Sequence, residues 1–129
     1  MTTNKESSYP WGTAQTISEG EGYRVKRISI HPSQRQSYQE HEQRAEAWMV
    51  VSGEGKITID GKENDVTTAA IVMIPKGMKH RIENTNKEEK LIFIETQFGL
   101  HLEEGDIIRH DDDYGRHLDN WNNVGVEQL

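Results

Sequence analysis

The chain has 129 residues, enough for one domain with its own hydrophobic core. A net charge of −7 and a pI of about 5.3 argue against nucleic acid or an anionic membrane as a partner. Cysteine is absent, which excludes disulfides and thiolate chemistry, and no apolar run approaches the ~18 residues of a membrane helix.

The N-terminal part of the sequence predicts a flexible lead, a turn and then a strand. Residues 1–8 are polar and lack the hydrophobic segment of a signal peptide, so we expect a flexible lead and a cytoplasmic protein. Residues 23–30 have the composition and alternation of a strand. Lys26 shares one face of that strand with Ile28 and Ile30. Its side chain therefore either projects into the interior or covers apolar surface at a sheet edge.

The middle of the chain predicts further short strands separated by turns. Asp60-Gly61 is a strong hairpin signal, and no helical period is sustained over three turns between residues 9 and 100. This succession is typical of an antiparallel sandwich or barrel. Past Gly99 we expect a solvated acidic turn at 111–113 and a polar tail. The further predicted strands are 47–52, 56–59, 62–66, 69–74, 79–83 and 91–97.

Four side chains of the types that bind divalent metals lie at predicted strand ends. Gln39 and His41 are two residues apart, so on an extended strand they point to the same face. Glu46 opens the next strand, and His80 follows a turn fixed by proline and glycine. Together they predict a metal site with two imidazoles, an amide oxygen and one carboxylate. Such a ligand set leaves the ion most of its positive charge.

The spacing of these residues resembles the two motifs of the cupin superfamily. Four residues separate His41 from Glu46, six separate Glu46 from Gly53, and a Pro-x-Gly-x-x-His pattern ends at His80. Gln39 stands where most cupins have a first histidine. Other segments resemble one branch, the mannose-6-phosphate isomerase domain that closes bifunctional phosphomannose isomerase/mannose-1-phosphate guanylyltransferases and also occurs alone. These segments are Pro10-Trp11-Gly12, Val25-Lys26-Arg27-Ile28, Arg44-Ala45-Glu46 and Asp106-Ile107-Ile108-Arg109.

The resemblance implies an all-β, single-domain cupin, which is a double-stranded β-helix or jelly-roll barrel with short irregular N- and C-terminal extensions. The expected divisions are the flexible lead at 1–8, the cupin domain at 9–116 and a polar C-terminal tail at 117–129. One divalent metal ion per chain is implied, with zinc foremost and cobalt, manganese, nickel or iron as alternatives. Because such barrels commonly pair, we expect a homodimer in which the segment around Trp11 covers the partner's sheet edge.

The implied activity is metal-dependent interconversion of mannose 6-phosphate and fructose 6-phosphate through an enediolate. The metal ion would polarise the oxygens at C1 and C2 of the phosphorylated sugar. Arg44 and Lys26 are the expected catalytic residues. Arg109 and Arg116 are expected to contact the phosphate if the C-terminal stretch folds back over the barrel mouth. Otherwise Arg109 and Arg116 are ordinary solvated charges beside the carboxylates at 111–113. The alternative for Arg44 is a surface salt bridge to Glu40 or Glu42.

The sequence leaves the proton-transferring group and the exact function open. Lys26, Glu95 and His110 are all candidates for the base that an isomerase requires. The alternative function is a metal-binding cupin that binds a sugar or sugar phosphate as a sensor, without isomerase turnover. The chain departs from the family pattern at several positions, most of which we expect to reshape the substrate mouth. Tyr9 replaces an arginine, Glu42, Gln43 and Ala47 replace histidines, and Ala69 replaces a glycine.

Overall fold

The computed structural model describes residues 5–118. Its regular structure over that range consists of eleven strands. They are β1 (Glu6–Tyr9), β2 (Gly12–Gly20), β3 (Tyr23–Ile30), β4 (Tyr38–Glu40), β5 (Ala45–Ser52), β6 (Glu54–Ile59), β7 (Lys62–Thr67), β8 (Ile71–Ile74), β9 (His80–Asn84), β10 (Leu91–Phe98) and β11 (Ile108–Asp111).

The strands form two antiparallel sheets that pack on one hydrophobic core. One sheet has six strands in the order β1-β2-β3-β10-β5-β8, and the other has five in the order β11-β4-β9-β6-β7. From β4 onward the chain passes repeatedly from one sheet to the other, so neighbouring parts of a motif lie on opposite walls. This is the double-stranded β-helix of the cupins, and the predicted all-β fold is confirmed.

On four strands the inward face changes from apolar to polar toward one end of the barrel. On β10 the buried side chains run from Leu91 and Phe93 to Glu95 and Gln97. Three other strands show the same change between two buried residues that are two positions apart. These pairs are Ile28 and Lys26 on β3, Trp48 and Glu46 on β5, and Ile82 and His80 on β9. Burial of the apolar half stabilises the barrel. The polar half is thereby held as a buried layer at one end.

The turn chemistry predicted from the sequence is present. Asp60 and Gly61 have φ values of 49° and 83°, the left-handed conformation that a two-residue hairpin requires, and they join β6 to β7. The predicted strand 23–30 coincides with β3. The other predicted strands all occur, with ends shifted by one or two residues.

Besides strands β2 and β11, which the sequence did not predict, two parts of the chain differ from the sequence prediction. Residues 6–8, predicted as part of a flexible lead, instead pair with β2 as strand β1. The acidic turn is only partly solvated, since Asp112 is buried and its carboxylate accepts two hydrogen bonds from the Arg116 guanidinium. Residues 119–129 of the predicted tail lie outside the described residues. Among residues 5–118, no helix has both the length and the apolar character needed to span a membrane.

Candidate metal centre

A cavity of about 320 Å³ opens at the polar end of the barrel. Trp11, Ile28 and Trp48 form apolar parts of its wall, and the remaining lining is dominated by polar and charged groups. Among its lining residues are all eight that the sequence predicted for the site. They are Gln39, His41, Glu46, His80, Arg44, Lys26, Arg109 and Arg116.

Three of the predicted ligands form a compact cluster at the base of this cavity. One ligand atom each from His41, Glu46 and His80 can be chosen so that all lie within 4.8 Å of one another, and all three residues are buried. The two motifs are joined directly, because the Gly77 amide donates to the His41 carbonyl over 2.8 Å. Strand pairing adds two further links between the motifs. Glu46 lies opposite Ile74 in the larger sheet, and Gln39 lies opposite His80 in the smaller one.

Backbone carbonyls fix the tautomers of both histidines. His41 Nδ1 lies 2.6 Å from the Asp106 carbonyl oxygen, and His80 Nδ1 lies 3.0 Å from the Met78 carbonyl oxygen. A carbonyl can only accept, so each Nδ1 carries the proton and each Nε2 keeps its lone pair. This is the outer hydrogen bond that orients histidines in metal sites.

The electrostatics of the cluster suit a divalent cation. Burial lowers the pKa of His41 to about 4 and also lowers the pKa of His80, so both imidazoles are neutral at pH 7. Burial alone would raise the pKa of Glu46, but the Arg44 guanidinium and the two histidines lower it below its usual range. Two neutral nitrogens and an ionised carboxylate are therefore ready to bind an ion without first losing protons.

The fourth predicted ligand, Gln39, faces the same cavity through its amide. Its Nε2 donates to the hydroxyl of Ser37 over 2.9 Å and to the Ser37 carbonyl over 3.3 Å. Because the nitrogen is used in this way, the amide oxygen is the atom left to bind a metal. The donor set of the cluster thus matches the oxygen and nitrogen ligands that zinc and neighbouring metals accept.

Arg44 lies within the cluster rather than on the surface. Its Nε donates to Glu46 Oε2 over 2.7 Å, and its Nη2 lies 3.3 Å from His41 Nε2. The residue is buried, which rules out the alternative of a surface ion pair with Glu40 or Glu42. Its positive charge compensates the Glu46 carboxylate, whose other oxygen accepts from the Trp48 indole over 2.8 Å.

The other predicted cations line the cavity from two directions. Lys26 projects inward from β3, and its Nζ lies 2.9 Å from Glu104 Oε2. The C-terminal stretch does fold back over the barrel, since Arg109 on β11 lies opposite Gln39 on β4. Arg116 follows after a turn and pairs with Asp112. The structure thus brings these side chains to the cavity without assigning their roles.

Sequence reasoning missed the residue that ties the C-terminal stretch to the first motif. Asp106 accepts from His41 through its carbonyl, and its carboxylate accepts from the backbone amides of Glu42 and Gln43 over 2.9 Å each. The sequence offered one indication of its importance, which is its place in the segment Asp106-Ile107-Ile108-Arg109 that resembles the family. A contact over more than sixty residues leaves no periodic pattern that could have predicted it.

The family departures are unequally placed. Glu42 and Gln43 are exposed on the turn whose backbone amides donate to the Asp106 carboxylate. Ala47 lies on β5 between Glu46 and Trp48, which point inward, so Ala47 faces outward. None of these three lines the cavity, contrary to the expectation that they reshape the mouth. Tyr9 does line it. Its ring stacks on Trp11 at 5.0 Å between centroids.

Residues 1–112 match the protein family described as Mannose-6-phosphate isomerase C-terminal. The chain belongs to this family. In sequence comparison, the chain is 45% identical over 114 residues to a mannose-1-phosphate guanylyltransferase of Salmonella montevideo. It is 42% identical over 113 residues to the mannose-1-phosphate guanylyltransferase of Escherichia coli. Both alignments cover 88% of this chain but 24% and 23% of those proteins, so the chain spans about a quarter of their length.

Solved structures show the same fold for this isomerase-domain chain. Oxalate decarboxylase from Bacillus subtilis has a TM-score of 0.73 and 18% identity, covering 95% of this chain and 34% of that one. A double-stranded β-helix protein from Klebsiella pneumoniae has a TM-score of 0.66 and 21% identity, covering 74% and 83%. Identities this low support the shared cupin fold alone.

Proposed function

We propose that this domain interconverts mannose 6-phosphate and fructose 6-phosphate with one divalent metal ion held by Gln39, His41, Glu46 and His80. The observation that carries the proposal is the meeting of neutral imidazoles and an ionised carboxylate inside a cavity lined by cationic side chains. Membership of the isomerase-domain family supports the choice of substrate.

The metal ligands fit the chemistry of an aldose–ketose isomerisation. A divalent cation bound there would supply a Lewis acid at the substrate's C1 and C2 oxygens. The protein's own contribution is to keep the ligands deprotonated and oriented, which the Asp106 and Met78 carbonyls do for the histidines. Zinc remains the metal that we expect on the basis of the resemblance.

Arg44 is placed to stabilise negative charge that develops on the sugar oxygens. Its guanidinium contacts the atoms that would bind the ion, so a substrate oxygen brought to the cluster would also come to Arg44. A group that acts on developing charge contributes mainly to kcat. We therefore expect Arg44→Ala to lower kcat more than it raises KM.

The phosphate would be bound by arginines from the C-terminal stretch. Arg109 and Arg116 both line the cavity, and their planar guanidinium groups suit a phosphate. Lys26, on the facing wall, is left to donate a hydrogen bond to a sugar hydroxyl. This arrangement would hold an anionic substrate although the chain carries a net charge of −7.

One observation favours the second candidate, a sugar-binding cupin without turnover. Three of the cavity cations already have carboxylate partners, as Lys26 pairs with Glu104, Arg116 with Asp112 and Arg44 with Glu46. A phosphate must compete with these carboxylates for the same donors. The tyrosine at position 9 also lines the cavity in place of the family's arginine.

Turnover of mannose 6-phosphate by metal-loaded protein separates the two functions. We expect fructose 6-phosphate to form, the reaction to stop after chelation, and activity to return when zinc or cobalt is added. His80→Ala should lower both metal content and turnover sharply. His101→Ala is the matched control, because His101 is exposed and does not line the cavity.

The outcomes distinguish the site from the reaction. If both histidine variants bind metal like the parent protein, the ligand assignment is wrong. A fully metallated, folded parent that turns over no hexose phosphate contradicts the isomerase, and binding of mannose 6-phosphate by calorimetry would then support the sensor.

A further inference from the structure

An isomerase of this kind needs one group to take a proton from C2 and return it to C1. The structure removes two of the three candidates left by the sequence. His110 does not line the cavity, and its Nε2 lies 2.7 Å from the Glu40 carboxylate. Lys26 is held by Glu104, and an ammonium group can donate a proton but has no lone pair to accept one.

Glu95 is the remaining candidate, and the fold places it in the polar layer of the cavity. Its side chain lines the cavity while the residue is only 6% exposed. In the sheet it lies between Lys26 on β3 and Trp48 on β5. Gln97 on the same strand is opposite Glu46, so Glu95 is a diagonal neighbour of that metal ligand on the same inner face.

The Glu95 carboxyl is held by a hydrogen bond from a neighbouring side chain on its own strand. Gln97 Nε2 donates to Glu95 Oε2 over 2.7 Å, and this is the only hydrogen bond of the Glu95 side chain within residues 5–118. Gln97 Oε1 is buried and has no hydrogen-bond partner among the same residues. A buried amide oxygen without a hydrogen-bond partner is energetically unfavourable. The amide therefore orients Glu95 at the expense of its own oxygen, an arrangement typical of functional sites.

We infer that the Glu95 carboxylate is the base that moves the substrate proton between C2 and C1, and that Gln97 positions it. This inference rests on the proposed isomerase function. It gives Glu95 a role distinct from that of the metal ligands and from the charge-stabilising role of Arg44.

The proton and electron movements balance without another reactant. Glu95 takes the C2 hydrogen as a proton, the C2–H electron pair forms a C1=C2 double bond, and the C1=O π pair moves onto O1. On return, the C2 hydroxyl loses its proton and its O–H electron pair forms the C2=O double bond. The C1=C2 π pair takes the proton from Glu95 and forms the new C1–H bond, and the proton lost from O2 balances the one gained at O1. No proton is gained or lost overall.

The surroundings of Glu95 raise its pKa toward neutral pH. Burial raises its pKa to about 8, and the neighbouring Glu46 carboxylate adds to this rise. The hydrogen bond from Gln97 and the charges of Arg44 and Lys26 act in the opposite direction. A carboxyl with such a pKa is a stronger base than an ordinary glutamate and can both accept and return a proton.

The test follows the C2 proton itself. Metal-loaded parent and E95Q are incubated with mannose 6-phosphate in deuterium oxide, and proton NMR records loss of the C2–H signal and formation of fructose 6-phosphate. Gln preserves the size of the side chain and can still accept from Gln97. We expect exchange and kcat to fall by about 10²–10⁴-fold, the range of a general base, while metal content and KM stay near parental values.

Two further variants separate chemistry from structure. Gln97→Met removes the positioning hydrogen bond with little change in volume, so kcat should fall about tenfold with KM unchanged. His110→Gln, outside the cavity, should leave both constants unchanged.

Each result decides between the inference and the function on which it rests. An active parent and an equally active E95Q overturn the role of Glu95 while the isomerase stands. A parent that exchanges deuterium without forming ketose contradicts the isomerase, yet loss of that exchange in E95Q still supports Glu95 as the base. A parent that neither exchanges nor isomerises the sugar contradicts both.

Discussion

Arg44 places a positive charge at the metal ligands before any ion is bound. Its guanidinium contacts Glu46 and His41, the carboxylate and imidazole that a cation would bind. In the metal-free protein this arginine compensates a carboxylate that is 1% exposed. An ion bound by Glu46 and His41 would take over that compensation and would leave the guanidinium available for a substrate oxygen.

The first prediction concerns the stability of the variant Arg44→Ala. Without metal, the variant leaves Glu46 as a buried and uncompensated charge, so its free energy of unfolding should fall by about 3–5 kcal/mol. Zinc should restore more stability to the variant than it adds to the parent. Thermal unfolding of both proteins with chelator and with zinc measures this. An equal deficit under the two conditions would show that Arg44 and the ion do not share Glu46.

The second prediction concerns the effect of Glu95 on stability in metal-free protein. Its folded pKa of about 8 lies above the ordinary value of 4.5, so the folded state retains a proton that the unfolded chain has lost between these pH values. Glu95 therefore costs stability increasingly as pH rises from 4.5 to 8, to a total on the order of a few kcal/mol. E95Q lacks this cost. Its melting temperature should exceed that of the parent at pH 8.5, with the difference shrinking toward pH 4.5; a constant difference would contradict the raised pKa.

At the residue scale, the ligands were predictable and their supporting partners were not. Gln39, His41, Glu46 and His80 are chemically distinctive and stand at strand ends within two motifs. Asp106 supports His41 through a backbone oxygen, a group that every residue possesses. The burial that sets the pKa of Glu95 depends on its neighbours in two other strands, which no local pattern specifies.

At the scale of elements, the turn before β8 contains a non-glycine residue in a conformation that favours glycine. Ala69 has a φ of 76°, and its amide donates to the Val50 carbonyl over 2.8 Å. The left-handed region costs an alanine about 1–2 kcal/mol. This gives a physical reason for the glycine of the family pattern at this position.

The third prediction is that Ala69→Gly stabilises the protein. Relief of the left-handed strain is partly offset by the greater freedom of glycine in the unfolded chain, leaving a gain of up to about 1 kcal/mol. Denaturant titration measures it. Gly61→Ala is the matched opposite change, because Gly61 has a φ of 83° and an added Cβ would meet nothing within 4 Å. Gly61→Ala should lower the free energy of unfolding by about 1 kcal/mol. If Ala69→Gly also lowers it, the Ala69 methyl group contributes packing that outweighs the relief of strain.

The sequence did not predict β2 and β11, because their residues show only a weak apolar alternation and the two strands depend on pairing with neighbouring strands. β2 carries mostly polar residues with only Ala14 buried beyond its start, so it lacks apolar alternation. It is nevertheless paired along its length with β3, and its first four residues also pair with β1. β11 is four residues long and owes its place to β4. Long-range hydrogen bonding, rather than propensity, defines both strands.

At the scale of the whole molecule, the barrel leaves open edges and an exposed apolar face. β1 and β8 end the larger sheet. Ile71 is 67% and Met73 61% exposed on β8, beside Met49 on β5. Trp11 belongs to the core of its own chain, and the covering of a partner's edge by the segment around it stays a prediction. The exposed apolar face is a further surface that an assembly could cover.

The fourth prediction is a homodimer at micromolar concentration. Two copies would cover an edge and the apolar face that one copy leaves exposed. Light scattering should give a mass of about 30 kDa, twice the chain mass of 14.8 kDa. A species of about 15 kDa under those conditions would contradict the dimer.

The proposed metal centre and substrate site are tested together by an anomalous-difference map from crystals loaded with zinc and soaked with mannose 6-phosphate. We expect one peak per chain, bound by Gln39 and the cluster His41, Glu46 and His80, with the sugar in the cavity and its phosphate at Arg109 and Arg116. A peak away from this cluster, or a sugar bound outside the cavity, would contradict it.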